Sequence, residues 1–140
     1  MSRRDTLIAQ IKRHEGLRLK PYYCTAGKLT VGYGRNLEDV GVDADEAEGM
    51  LRNDLARVEN ECLHVFPWFS ELSEARQEVI LNMCFNLGLA GLKKFTKFLK
   101  AVELGNYDTA ADEMLESLWA KQVKSRALEL ASMMRGSAEA

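Results

Sequence analysis

One change in the spacing of apolar residues, near the start of the chain, constrains the fold more than any other feature. Up to Glu15 the apolar residues recur at helical spacing, and Gly16 follows as a residue type that commonly ends a helix. Residues 29–34 instead alternate between larger and small or polar types, which is the period of a β-strand. A short opposing run at 22–24 and a turn at 26–27 complete the pattern. The stretch therefore predicts a helix followed by a β-hairpin with a loop of roughly three to five residues.

The remainder of the chain is predicted to be helical. Asp5 is expected to cap the first helix, and Asp43 with Glu46 forms a capping-box-like start for a long helix that ends near Val65. Pro67 breaks that helix. The fold class is therefore α+β and mostly helical. Further helices are predicted over 73–88 and 92–105, from Asp108 to a bend at 119–120, and from Val123 to Gly136.

The overall composition fits one globular domain. With 140 residues, 46% of them hydrophobic and 29% charged, the chain is long enough to bury a core. The formal net charge of −2 lacks the basic excess that is typical of nucleic-acid-binding proteins. No apolar run approaches the length of a membrane span, and the N-terminus lacks the apolar core of a signal peptide. We therefore expect a monomer that binds no nucleic acid and has no membrane span.

The three cysteines are odd in number and widely spaced. They match no zinc-binding pattern, and the sequence implies neither a metal nor a cofactor. Cys62 and Cys84 fall on the apolar faces of predicted helices, where buried free thiols are expected. Free thiols suit synthesis in a reducing cytosol.

Glu15 is the candidate general acid. It ends the first predicted helix, where the partial negative charge of the helix dipole disfavours an ionised carboxylate. A carboxyl group that must carry a proton near neutral pH benefits from that position. Taken alone, a glutamate at a helix end is more commonly a solvated surface residue. The preceding His14 is expected to be structural or solvated rather than catalytic.

The hairpin supplies the other candidate groups. If its loop is centred on Gly27, Cys24 and Thr30 lie opposite each other and point to the same face. Gly32 and Gly34 keep the second strand free of bulk, so that a substrate can approach the backbone closely. We expect the acid at the helix end and these two small polar side chains to border one cleft.

The spacing of Glu15, Cys24 and Thr30 resembles the catalytic signature of the phage-type lysozymes, the T-even-like muramidases of glycoside hydrolase family 24. The strings Glu-Gly-Leu-Arg-Leu-Lys at 15–20 and Gly-Lys-Leu-Thr-Val-Gly at 27–32 are similar to the same family. Glutamate and threonine at this spacing would be a weak signal alone, but the two flanking strings make the combination specific.

The resemblance extends from about residue 5 to Gly136 and implies one lysozyme-like domain over 1–140. A small hairpin lobe would be joined by a long helix to a helical lobe. Because the connection between hairpin and helix is much shorter than in the T-even enzyme, the small lobe is expected to have fewer strands. The predicted bounds are 14–42 for the hairpin lobe, 43–66 for the linking helix, and 1–13 with 67–136 for the helical lobe.

Membership would imply hydrolysis of the β-1,4 bond between N-acetylmuramic acid and N-acetylglucosamine in peptidoglycan. Glu15 would be the general acid, and the Thr30 hydroxyl would orient the attacking water. Many family members carry aspartate where this chain has Cys24, although cysteine is an accepted variant of the signature. As a thiolate, Cys24 would stabilise positive charge, accept a proton from water or attack the sugar; as a thiol it would only help to place water. The resemblance leaves these alternatives and the stereochemical outcome open.

The same resemblance implies supporting roles for four further residues. Arg126 corresponds to an arginine that pairs with the catalytic glutamate, and its forked side chain would orient that group. Asn86 occupies a polar cleft position, where its amide would either bind sugar groups or cap the helix end. Arg35 and Asp54 correspond to a histidine and its acidic partner, so an ion pair is expected between them.

An endolysin of this type would accumulate in the host cytoplasm and reach the cell wall in the periplasm through a pore made by another protein. Its partner would be the glycan strands of peptidoglycan. Two other classes of function remain. One is a catalytically weak peptidoglycan-binding module, which a cysteine in place of the acid suggests. The other is a cysteine hydrolase in which Cys24 acts with His14 or His64, although neither histidine lies in a familiar cysteine-protease context.

Overall fold

The computed structural model describes residues 1–136, so the last four residues of the predicted 1–140 domain lie outside the described part of the chain. A helix, a three-stranded antiparallel sheet and a series of helices follow one another, which confirms the predicted α+β, mostly helical class. The break at Pro67 leads into a short 3₁₀ turn at Phe69–Glu71. The strands are β1 (Arg18–Tyr23), β2 (Leu29–Gly32) and β3 (Arg35–Asn36); the helices are α1 (Arg3–Glu15), α2 (Ala44–Val65), α3 (Glu74–Lys93), α4 (Thr96–Glu103), α5 (Tyr107–Glu116), α6 (Leu118–Val123) and α7 (Ser125–Arg135).

The backbone groups into two compact units, one from Met1 to Met50 and one from Leu51 onward. The boundary falls inside α2, so this helix contributes its first turns to one unit and its remainder to the other. The predicted single domain, with residues 1–13 allotted to the helical lobe, stays a prediction.

In the first unit, α1 starts three residues earlier than predicted. Ser2 is the N-cap and accepts a hydrogen bond from the Asp5 backbone N–H, while the Asp5 carboxylate accepts from the Ser2 backbone. Asp5 is therefore the acidic partner in a capping box and not the cap itself. At the other end Gly16 follows the last helical residue as predicted, with φ of 72° and its N–H bonded to the Lys12 carbonyl.

The sheet has the order β1-β2-β3, with every pair antiparallel. Tyr22 pairs with Thr30, and the Cys24 N–H bonds to the Lys28 carbonyl at 3.0 Å. Cys24 is thus level with Lys28, and Thr30 is its diagonal neighbour rather than its direct opposite. The predicted register was wrong by two residues, because the loop closes two residues earlier on the second strand. The shared face was right, since a shift of two residues preserves the side-chain direction.

The first unit has almost no interior. Among its residues, all of which the structure describes, only Thr30 is buried. The apolar residues of α1, Leu7, Ile8 and Ile11, remain between 41% and 49% exposed. One helix and three short strands offer too little apolar surface to enclose a core of their own.

The hydrophobic core lies in the second unit. Cys62 and Cys84 are 0% and 1% exposed, which confirms the predicted buried free thiols. The core is formed by α2 beyond residue 50 and by α3 to α7, and its largest fully buried side chains are Phe69, Ile80, Met83, Leu92, Phe98, Met114, Leu130 and Met134.

Helix boundaries in this unit differ from the predictions at three places. Gly88 interrupts α3 with φ of 76° and ψ of 159°, but a further helical turn continues to Lys93, so the next helix begins only at Thr96. Asn106, not Asp108, is the N-cap of α5. The predicted bend at 119–120 is instead the short helix α6, which runs between Ser117 and Lys124.

Candidate active site

The Glu15 carboxyl group lies directly over the backbone of Gly34. A Cβ atom at position 34 would come within 3.0 Å of Glu15 Oε2 and 3.2 Å of its Cδ. Gly34 also has φ of 86°, a conformation that other residues adopt with strain. Gly34 lies in the turn between β2 and β3 rather than in a strand, and the space that was predicted for a substrate is occupied at this position by the candidate acid. At Gly32, φ is 69° and a Cβ would meet no atom beyond the adjacent residues within 4 Å, so the backbone there is open.

A second contact joins the end of α1 to the same turn. Lys12 Nζ lies 5.3 Å from the centre of the Tyr33 ring, within the range of a cation–π interaction. Lys12 and Glu15 are three residues apart and share one helix face. The turn between β2 and β3 therefore receives both side chains, and this fixes the end of α1 relative to the sheet.

Cys24 directly follows β1, in an environment that favours its thiolate. Hydrogen bonds from the backbone N–H groups of Lys28 and Ala26, followed by one from the Thr30 hydroxyl, lower the pKa of Cys24 below its ordinary value of 9.0. The thiol is half-buried. Side-chain oxygens of aspartate accept backbone N–H groups in turns in the same way, so a thiolate here occupies the place of a turn carboxylate.

Thr30 is the most enclosed polar side chain of the first unit, with 3% of its surface exposed. Its hydroxyl donates to the Lys28 carbonyl oxygen at 2.8 Å and also lies in hydrogen-bond contact with the Cys24 sulfur. Because a hydroxyl group can rotate between acceptors, Thr30 can donate to either the carbonyl or the thiolate. The hydroxyl that was expected to orient water is thus engaged with Cys24.

The two residues of the expected Arg35–Asp54 ion pair have other partners. Arg35 donates to both carboxylate oxygens of Glu46, at 2.7 and 2.6 Å, and to the Gly41 carbonyl. Asp54 accepts from Arg57, three residues further along α2, at 3.0 Å. The fork from Arg35 lowers the pKa of Glu46 to about 2, with help from the Asp43 backbone N–H. The sequence identified Glu46 only as a capping residue. Its Oε1 accepts from the Asp43 N–H, and its Oε2 is available for the ion pair with Arg35.

Two amides on α3 organise the polar residues of the second unit. Asn82 Oδ1 accepts from Arg126 Nε at 2.8 Å and from Arg126 Nη2 at 2.6 Å. Asn86, one turn later, accepts from Trp119 Nε1 at 2.8 Å. The Asn86 side chain therefore bonds to an aromatic residue of α6 and does not cap its own helix end.

The sequence analysis did not predict the roles of three residues in these arrangements: Glu46, Asn82 and Trp119. Asn82 and Asn86 are four residues apart, which places both amides on one face of α3, and this spacing was an available signal. Nothing in the local sequence around Trp119 points to its hydrogen bond. Among the described residues no group of three or more His, Cys, Asp or Glu side chains is arranged to hold a metal ion.

Comparison with known proteins gives consistent matches along most of the chain. The family model described as phage lysozyme matches residues 12–137. An endolysin of Acyrthosiphon pisum secondary endosymbiont phage 1 is 36% identical over 121 residues, which are 81% of this chain and 77% of that protein. An endolysin of Salmonella phage P22 is 30% identical over 125 residues, 84% of this chain and 82% of that protein. A probable T4-type lysozyme of Dictyostelium discoideum is 27% identical over 154 residues, 89% of this chain and 90% of that protein.

Proposed function

Because the chain belongs to the phage lysozyme family, we propose that it is a muramidase that cuts the β-1,4 bond between N-acetylmuramic acid and N-acetylglucosamine in peptidoglycan. The observation that supports the assignment is the contact of the Glu15 carboxyl with the Gly34 backbone, in the turn after the strand that contains Thr30, while Cys24 follows the paired strand β1. A protonatable acid and an anion-favouring thiol attached to one rigid scaffold are the two groups that glycoside hydrolysis requires.

The proposed reaction requires a separation between the Glu15 carboxyl and the Cys24 sulfur that accommodates a sugar ring and a water molecule. Thr30 and Gly34 are four residues apart, so their backbones are separated by at most roughly 13 Å at the rise of an extended strand. The carboxyl groups of inverting glycosidases are separated by about 6.5–9.5 Å. We propose that the Glu15 carboxyl and the Cys24 sulfur, which lie near the two ends of this segment, are separated by a distance in that range.

In the proposed reaction Glu15 donates its proton to the oxygen of the leaving sugar while the bond from that oxygen to the anomeric carbon breaks. A water molecule attacks the anomeric carbon, and the Cys24 thiolate accepts the proton that the water loses. The Lys28 and Ala26 N–H groups and the Thr30 hydroxyl stabilise the thiolate before attack. Proton exchange with solvent then restores both groups. The expected product has inverted stereochemistry, and anomer-resolved NMR of the first product tests this.

The remaining predicted residues act as supports. Arg126 is proposed to orient Glu15 through its forked side chain, and Asn86, whose oxygen accepts from the buried Trp119, to contribute to sugar binding. Gly32 leaves the backbone open to a sugar. Arg35, through Glu46, holds β3 to the start of α2. These roles extend the family assignment to particular side chains.

The alternative of a cysteine hydrolase receives no support from the environment of Cys24. The groups that favour its thiolate are backbone N–H groups and Thr30, and neither His14 nor His64 is among them. A cysteine nucleophile in a hydrolase is ordinarily activated by an adjacent base. The peptidoglycan-binding module remains the competing function.

The decisive experiment is a turbidity assay on Gram-negative cells with a permeabilised outer membrane. The wild-type protein is expected to clear the suspension, and Glu15→Gln to reduce the rate by about 10²–10⁴-fold, the contribution of a general acid. Glu59→Gln, an exposed glutamate of α2, is the matched control and should lyse normally. A wild-type protein that sediments with purified peptidoglycan but does not clear cells would instead identify a binding module.

The proposed site of action is the peptidoglycan of the periplasm, with a single copy of the chain as the active form. No helix in the described part of the chain combines the length and the apolar character that crossing a bilayer requires. Passage from the host cytoplasm to the wall is proposed to depend on a pore formed by another protein. Expression in host cells with and without induced permeabilisation of the inner membrane tests that dependence, and lysis without permeabilisation would contradict it.

A further inference from the structure

One edge of the Arg126 guanidinium is hydrogen-bonded to a single residue of α3, Asn82. Its Nε and Nη2 atoms donate to Asn82 Oδ1 at 2.8 and 2.6 Å, and Nη2 also lies 3.4 Å from the Asn82 backbone oxygen. Two N–H groups that converge on one oxygen restrict both the position of the guanidinium and the plane in which it lies. A hydrogen bond to a charged group is also stronger than one between neutral groups.

The backbone that presents Arg126 is held in a strained conformation. Lys124, two residues earlier, has φ of 47° and ψ of −109°, and it is the only described residue other than glycine with a positive φ. It forms the junction between α6 and α7. Strain of this kind persists only where the surrounding structure enforces it, and it concentrates at functional positions. This strained residue sets the direction in which α7 begins, one residue before Ser125 and two before Arg126.

A purely structural role for Asn82 is not needed to attach α7 to α3. Buried apolar residues of both helices, including Ile80 and Leu130, belong to one core. In addition, Arg76 of α3 donates to the last carbonyl oxygens of α7, those of Met134 and Arg135, at 2.8 and 3.1 Å. The two helices are already held together by the core and by Arg76 at one end. The Asn82 carboxamide is therefore available to bind and orient the Arg126 guanidinium.

We propose that Asn82 is a positioning residue for the muramidase reaction, whose side-chain oxygen fixes the direction of the Arg126 guanidinium. The proposal rests on the proposed function, in which Arg126 orients the catalytic acid. It predicts that Asn82 matters to catalysis only while Arg126 is present.

A double-mutant cycle on lysis of permeabilised cells and on kcat/KM with soluble glycan fragments tests the proposal. Asn82→Ala is expected to lower kcat/KM about tenfold to a hundredfold, the effect of losing hydrogen bonds to a charged group. In the Arg126→Ala background the same change should cause no further loss, because the group that Asn82 directs is absent. Asn82→Asp retains an acceptor oxygen and should restore most of the activity.

Gln77→Ala supplies the matched control. Gln77 is another carboxamide of α3, whose Nε2 donates to the carbonyl oxygens of Ser70 and Leu72, so its removal reports on loss of helix packing. It should reduce the melting temperature without an effect on kcat/KM in either background.

Equal losses from Asn82→Ala with and without Arg126 would overturn the proposal, since Asn82 would then act on the fold or on another group. Full activity of Arg126→Ala would overturn it as well, because the guanidinium would have no part in the reaction. Failure of the proposed function itself has a different signature, which is a fully active Glu15→Gln variant. If Asn82→Ala does not fold, Asn82→Leu, which removes the acceptor oxygen but keeps a side chain of similar size, carries the same comparison with and without Arg126→Ala.

Discussion

The environment of Cys24 differs from that of the other two cysteines, Cys62 and Cys84, in its effect on the pKa of the thiol. Cys24 is half-buried among hydrogen-bond donors, which lower the pKa of its thiol. Burial raises the pKa of Cys62 to about 12, and its neighbour Cys84 contributes to that increase. Burial also raises the pKa of Cys84. Reactivity follows the thiolate and its accessibility, so only Cys24 is set up as a reactive group.

We therefore predict that iodoacetamide modifies one thiol in the native protein and three in the unfolded chain. The rate at Cys24 should reach half of its maximum at a pH below 9.0, its ordinary value. Thr30→Val removes one of the donors that favour the thiolate and should move this midpoint upward. Mass spectrometry of the alkylated protein across a pH series measures both. Equal labelling of all three thiols, or an unchanged midpoint in Thr30→Val, would contradict the assignment.

Substitution at Cys24 distinguishes a role in the chemistry from a role as a residue that only lines the site. Serine retains the size but ionises far less readily than a thiol, so Cys24→Ser should sharply lower muramidase activity. Aspartate supplies an anion at the same place and should retain it. The turbidity assay measures the three proteins side by side, and a fully active Cys24→Ser would leave Cys24 as a lining residue only.

Gly34 combines two constraints that can be separated by mutation. Its positive φ penalises any side chain, and its Cβ position is occupied by the Glu15 carboxyl. Gly34→Ala should therefore reduce stability by about 1–2 kcal/mol, the cost of a left-handed alanine, and should also displace the acid and abolish most activity. Gly105→Ala is the matched control. Gly105 has a similar φ of 77°, but a Cβ at that position would meet no atom beyond the adjacent residues within 4 Å. It should lower the melting temperature to a similar degree and leave lysis unaffected.

At the scale of elements, the start of α2 is tied to β3 by charge rather than by packing. Asp43 and Glu46 cap each other's backbone N–H groups, at 2.8 and 3.0 Å, and the remaining capacity of Glu46 binds Arg35. A capping box and an ion pair therefore share one carboxylate. This joint takes the place of the core contacts that the first unit lacks.

The pH dependence of that joint has a defined sign. The pKa of Glu46 falls from an ordinary 4.5 to about 2 in the folded chain, so its stabilising effect is complete above pH 4.5 and is lost as the pH falls towards 2. Glu46→Gln should therefore lower the melting temperature at pH 6, and the difference from wild type should shrink steadily between pH 4.5 and 2. Thermal unfolding followed by circular dichroism measures it. A difference that does not depend on pH would exclude the ion pair as its cause.

Asp54→Asn is the control for the same measurement. Asp54 and Arg57 are exposed by 45% and 59%, and an exposed pair three residues apart on a helix contributes about 0.3–0.5 kcal/mol. The expected change is small at every pH, and activity should be unaffected. A loss of activity with an intact melting temperature would instead place Asp54 in the chemistry.

At the scale of the whole molecule, stability is concentrated in the second unit. Leu130 and Leu128 are on the same helix, α7, yet they are 2% and 63% exposed. Leu130→Ala should cost about 2–5 kcal/mol because it leaves a cavity in the core, whereas Leu128→Ala should cost less than about 1 kcal/mol. Urea denaturation with equal slopes for the two variants measures the difference, and equal midpoints would refute this account of the core.

The sequence alone determined the order and type of most elements. The change of period after Glu15, the glycine that ends α1, the acidic pair at the start of α2 and the serine that caps α3 are all local signals. Each concerns backbone groups and side chains within about four residues of one another, where spacing dictates geometry. Glu15, Cys24 and Thr30 were identified as candidates from their spacing together with the resemblance of the flanking strings to the phage-type lysozymes. The shared face of Cys24 and Thr30 followed from the period of the strand.

Only the tertiary structure decided which distant groups meet. The choice of Glu46 rather than Asp54 as the partner of Arg35, the seating of Glu15 on Gly34 and the grip of Asn82 on Arg126 join residues that are 11, 19 and 44 positions apart. Contacts of that separation depend on how helices and strands pack, and several carboxylates or amides along the chain offer the same chemistry to one arginine. Local spacing carries no information that selects among them, because the selection is made by the geometry of the packed elements.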